Sequence, residues 1–74
     1  MYQVVLIENE LPSKDAFVKA FNKETGGDFK KLMSNSPTRD SDTCLYWDVM
    51  MPNGNYELKY CADNPFFILS KEVE

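Results

Sequence analysis

A chain of 74 residues with 43% hydrophobic content and a net charge of −4 has room for one compact domain. That length excludes a multidomain enzyme or a repeat array, and no apolar run approaches the roughly 20 residues that cross a bilayer. There is no histidine, so the commonest general base and neutral metal ligand are both missing, and catalytic triads and ordinary zinc sites are excluded with them.

Tyr2-Gln3-Val4-Val5-Leu6-Ile7 reads as the first strand, and its near-continuous apolar character suits a strand covered on both faces. No basic segment precedes it, so no leader peptide is expected. After the break at Glu8 to Pro12, Ser13 is a helix N-cap with Asp15 in the first turn. Ala16, Phe17, Ala20 and Phe21 then recur on one helical stripe, with Lys19, Asn22 and Lys23 on the other side. Gly26-Gly27 stops that helix by supplying positive φ, and Asp28 caps a second short stretch in which Phe29, Leu32 and Met33 share a face while Lys30 and Lys31 point outward. Ser34 to Asp42 is polar, contains Pro37 and lacks periodicity, so it is expected to be the longest loop.

Asn53-Gly54 between two alternating runs is a hairpin signal. With these two residues as the loop, Leu45 faces Ala62, Trp47 faces Tyr60, Val49 faces Leu58 and Met51 faces Tyr56, which makes one side of the hairpin wholly apolar. The other side pairs Tyr46 with Cys61, Asp48 with Lys59 and Met50 with Glu57. The rival register, with Cys44 opposite Cys61, sets Asp48 against Glu57, and like charges argue against it. In the favoured register the two cysteines are diagonal neighbours roughly 7–8 Å apart at Cα, so free thiols and a reducing cytoplasm are expected.

Asp63-Asn64-Pro65 forms a further turn, and Phe66 to Leu69 reads as the last strand before the charged tail Lys71-Glu72-Val73-Glu74. The order is β-α-(α)-β-β-β over residues 1–74: a single α+β domain with a mainly antiparallel sheet and the helical segment on one face. Phe17 and Phe21 are expected to meet Trp47, Tyr60 and their neighbours. Tyr2, Val4, Leu6, Phe66 and Ile68 are candidates to line the other face beside Tyr46 and Met50, unless the 34–42 loop covers it.

No residue pattern calls for a cofactor or a catalytic centre. Asp40-Ser41-Asp42 starts like a calcium loop, but Cys44 falls where another oxygen ligand is needed and Leu45 where the loop needs glycine. Residues 1–37 are charge-balanced. The acidic excess lies beyond them, where Arg39, Lys59 and Lys71 face Asp40, Asp42, Asp48, Glu57, Asp63, Glu72 and Glu74. That half repels phosphate backbones, which disfavours direct nucleic-acid binding even though Lys19, Lys23, Lys30 and Lys31 form a basic rim.

These exclusions leave a non-catalytic protein-binding module as the expected function. It is read as an inhibitor or modulator that occupies a surface of a larger protein, and a nucleic-acid-handling partner with a basic cleft suits its acidity. Small acidic proteins of this profile are common products of phages and mobile elements, where they block a host enzyme or evade a defence complex; the analogy is one of profile, not motif. Two contact surfaces are expected candidates: the uncovered sheet face with Tyr46, Met50, Glu57 and Lys59, and an acidic loop and tail with Asp40, Asp42, Glu72 and Glu74. The rival class is a homodimer joined through that sheet face or through an exposed edge strand.

Overall fold

In a computed structural model describing residues 1–73, β1 (Tyr2–Ile7) leads through a 3₁₀ turn at Glu8–Glu10 into two helices, α1 (Lys14–Thr25) and α2 (Phe29–Met33). Four strands follow: β2 (Arg39–Ser41), β3 (Cys44–Met51), β4 (Gly54–Cys61) and β5 (Phe67–Glu72). They form one antiparallel sheet in the order β1-β5-β4-β3-β2. The α+β class read from the sequence is the one observed. Because β5 returns beside β1, the first two strands in the chain occupy opposite edges, and the helices span the distance between them. Neither helix is long and apolar enough to cross a membrane.

The helix ends form as the capping residues dictate. Ser13 Oγ accepts a hydrogen bond from the Ala16 amide at 3.1 Å, the Asp28 carboxylate accepts from the Lys30 and Lys31 amides, and Gly26 closes α1 at φ 75°. The apolar stripe of α1 then buries Phe17 and Phe21 against Phe29, Trp47, Val49, Tyr56, Leu58, Phe67 and Leu69. The rings of Phe29 and Phe67 meet edge to face, with centroids 5.2 Å apart. The buried Tyr56 hydroxyl donates to the Glu24 carbonyl and carboxylate, both at 3.0 Å. Burial, reinforced by that carboxylate, holds its phenol above the ordinary tyrosine range.

Four expectations are corrected. The segment expected as a loop over 34–42 contains β2, and it runs beside β3 instead of over the sheet: the Thr38 amide donates to the Tyr46 carbonyl at 2.8 Å. The hairpin turns at Pro52-Asn53, so Cys44 pairs with Cys61 and Asp48 with Glu57, the register the charge argument rejected. Pro52 suits the first central position of such a turn, and Asn53 Nδ2 ties it to α1 by donating to the Glu24 carbonyl at 3.1 Å. Gly54 opens β4 at φ 142°, a backbone conformation that L side chains rarely adopt, so glycine is favoured beside the loop rather than in it. Thirdly, Cys44 and Cys61 form a cross-strand disulfide with Cα atoms 4.0 Å apart, in place of the two expected thiols. Finally, β1 is an edge strand, not a doubly covered one, and Tyr2, Val4 and Val5 are exposed.

The faces nevertheless survive the register change. A shift of two residues keeps every side chain on its own side of the pleat, whereas a shift of one would have exchanged them. Trp47, Val49, Tyr56 and Leu58 are therefore buried under the helices as expected. Ala62, assigned to that apolar side, lies beyond the ladder and is exposed.

Candidate functional site on the uncovered sheet face

Both helices pack on one side of the sheet, which leaves the alternate residues of every strand on the other. The ladder arranges them in rows. Tyr2, Glu72, Asn55 and Met50 form one row, Val4, Ser70, Glu57 and Asp48 the next, and Ile68, Lys59, Tyr46 and Arg39 a third.

Arg39 organises the centre of this face. Its Nη2 donates to Glu57 Oε2 at 2.8 Å and to Asp48 Oδ1 at 3.2 Å, and its guanidinium lies 4.8 Å from the centroid of the Tyr46 ring. A planar guanidinium is suited to serve two carboxylates and an aromatic face together. The hydrogen bond to Glu57, then that to Asp48, raises the Arg39 pKa above its ordinary value. This explains how β3 and β4 pair with Asp48 directly opposite Glu57: the repulsion between them is relieved by a cation from the neighbouring strand. The Asp48 amide, in turn, donates to Thr38 Oγ1 at 3.0 Å, fixing the segment that delivers Arg39.

Beside this group lies a depression bordered by Tyr2, Met50, Asn55 and Glu72. Asn55 Nδ2 donates to Glu72 Oε1 at 3.2 Å. Desolvation raises the Tyr2 phenol pKa, with Glu72, Glu57 and Asp48 adding to the shift, so the ring stands in a locally negative field. With Asp48 and Glu57 engaged by Arg39, the arrangement presents charge and hydrogen-bonding groups beside exposed apolar side chains.

The residues expected on the sheet face are together there: Met50, Glu57, Tyr46 and Lys59 all project from it. The expected acidic loop and tail do not form one surface. Asp40 pairs with Leu45 and so belongs to the helix side of the sheet, and Asp42 sits in the β2–β3 turn at φ 51°. Glu72 is on β5, across the sheet, in the depression with Tyr2. Glu74 lies outside the described residues. Tyr2 was expected on this face and lies there, whereas Arg39, Asp48 and Asn55 were not among the expected contact residues. The signal for Arg39 was the like-charge pair itself, which needs a cation within reach if that register is to form.

Arg39→Met is expected to leave Asp48 and Glu57 opposed without a bridge and to lower the thermal midpoint, with a smaller loss in molar salt. Adding Glu57→Gln should restore most of the difference. Thermal unfolding followed by circular dichroism checks both, and a midpoint insensitive to Arg39→Met would refute the bridging role.

No family model matches the chain, and comparison with curated proteins and with solved structures finds no match either.

Proposed function

We propose that this chain is a non-catalytic binding module that engages a larger protein through the uncovered sheet face. One observation carries the reading: Met50, Val4 and Tyr2 are 77%, 50% and 45% exposed on the side the helices leave bare, next to an ordered Arg39–Asp48–Glu57 group. Aromatic and methionine side chains provide contact area, while prearranged charges provide orientation without a further ordering cost. Glu72 and the field at Tyr2 favour a basic surface on the partner, and a nucleic-acid-handling protein is the fitting class. An inhibitor or modulator of phage or mobile-element type is the proposed biological setting, by analogy of size and charge alone.

The Cys44–Cys61 bridge removes the argument for a cytoplasmic location from free thiols. A persistent bridge belongs to an oxidising compartment, and in a reducing one it would be transient. The sheet-face reading requires neither state.

The test is affinity capture from the native host with three baits: the wild-type chain, Met50→Glu, and Lys19→Glu on the helical layer. A stoichiometric protein is expected with wild type and Lys19→Glu and at least tenfold depleted with Met50→Glu. Equal recovery by all three baits, or none by wild type, would overturn the proposal.

A further inference from the structure

The two edges of the sheet differ sharply. β2 is a three-residue strand, Arg39-Asp40-Ser41, short and charged in the manner that protects an edge from further pairing. β1 is longer and its only such device is a bulge between Val4 and Leu6: Tyr2 to Ile7 contains no charge and no proline, and its first four residues are exposed. We infer that β1 pairs antiparallel with β1 of a second copy of this chain, around a two-fold axis at Gln3, to form a continuous ten-stranded sheet.

The backbone supplies the register. The Met1 carbonyl accepts from the Val73 amide at 2.8 Å, and Tyr2, Gln3 and Val4 follow opposite Glu72, Lys71 and Ser70. Hydrogen-bonded and non-hydrogen-bonded pairs alternate in an antiparallel ladder. The Gln3 amide and carbonyl therefore point towards β5, and those of Tyr2 and Val4 point away from the sheet. With Gln3 on the axis, Tyr2 of each copy meets Val4 of the other as a hydrogen-bonded pair, so the outward groups of both residues are satisfied. Tyr2 and Val4 lie on the same face, which makes each contact an aromatic against a β-branched side chain, a favourable cross-strand pair.

The irregularity between Val4 and Leu6 selects this register over its neighbours. Beyond it the faces are out of phase: Leu6 packs toward the core while Tyr2 projects from the uncovered side. An axis at Val4 would thus oppose side chains on different faces. A second copy also fits electrostatically. Among the described residues of β1 and β5 the one carboxylate is Glu72, and in the two copies these would stand three strand spacings apart, about 14 Å, beyond the screening length at physiological salt. The occupant is self-complementary, uncharged and related by a closing two-fold axis, whereas pairing of β1 with β2 would generate an open chain of molecules. Because the axis is perpendicular to the sheet, both uncovered faces lie on the same side, and the two depressions flank the seam.

Sedimentation equilibrium of the full chain from micromolar to submillimolar concentration tests this. The mass is expected to rise with concentration from 8.6 kDa towards twice that value, and Val4→Lys should remain monomeric throughout, with Tyr2→Lys as the check should the first variant fold poorly. In mild oxidant, Gln3→Cys should form a disulfide-linked dimer while Leu45→Cys, at an exposed position far from this edge, does not. A wild-type mass that stays at 8.6 kDa, or a dimer that persists in both lysine variants, would overturn the inference.

Discussion

Phe17→Ala is expected to leave most of the chain unfolded at 25 °C. Phe17 is fully buried, and its ring lies within 5.7–6.4 Å, centroid to centroid, of Phe21, Phe29 and Phe67, so it joins both helices to β5. Truncating a buried phenylalanine costs about 3–5 kcal/mol through lost transfer energy and the cavity left behind. A domain of this size has a net stability of about the same magnitude, and Phe17 lies where collapse of neighbours would require α1 and α2 to move together. Phe17→Leu, which refills much of the volume, should keep a cooperative transition at reduced stability. Near-ultraviolet circular dichroism at Trp47 with urea unfolding distinguishes the outcomes, and a wild-type midpoint for Phe17→Ala would contradict this view of the core.

Opening the Cys44–Cys61 bridge should produce the second largest effect. The cysteines are 17 positions apart, and closing a loop of that size restricts the unfolded chain by about 3 kcal/mol in the chain-entropy description. For a chain with so small a core that is most of the margin. Wild type with reductant, and Cys44→Ser/Cys61→Ser without it, should show matching losses in urea midpoint. The ladder itself does not depend on the bridge, because Arg39 still links Asp48 to Glu57 and Thr38 still holds β3. Reduced protein that remains folded should therefore keep Asp48 opposite Glu57. An unchanged midpoint on reduction would show that the bridge adds nothing to stability.

The elements and their faces were legible because they depend on local chemistry and on periodicity. Ser13, Gly26 and Asp28 act within one turn of themselves, and the alternation of Trp47, Val49, Tyr56 and Leu58 is independent of a two-residue register shift. What could not be read locally came from contacts across strands. Asp48 and Glu57 are repulsive as an isolated pair and tolerated as a trio with Arg39, and Arg39 lay in a segment whose polar composition concealed a three-residue strand. A turn at Asn53-Gly54 sets the cysteines diagonally, out of disulfide reach, whereas the turn at Pro52-Asn53 sets them opposite each other. The composition of β1 indicated burial, yet it lies at an edge, and topology alone decides whether an apolar strand is central or exposed. That Tyr46, Met50, Glu57 and Lys59 share the uncovered face was legible because it depends on alternation alone. The supposed acidic surface was not, because proximity in charge pattern between a loop and a tail says nothing about which side of the sheet each occupies.

Contact through the bare sheet face, as proposed, is read out residue by residue in amide spectra of the isotopically labelled chain titrated with the captured protein. The largest shifts are expected at Tyr46, Asp48, Met50, Glu57 and Glu72, with α1 and α2 little changed; shifts concentrated at Lys19, Lys23, Lys30 and Lys31 with a silent sheet would overturn the proposal.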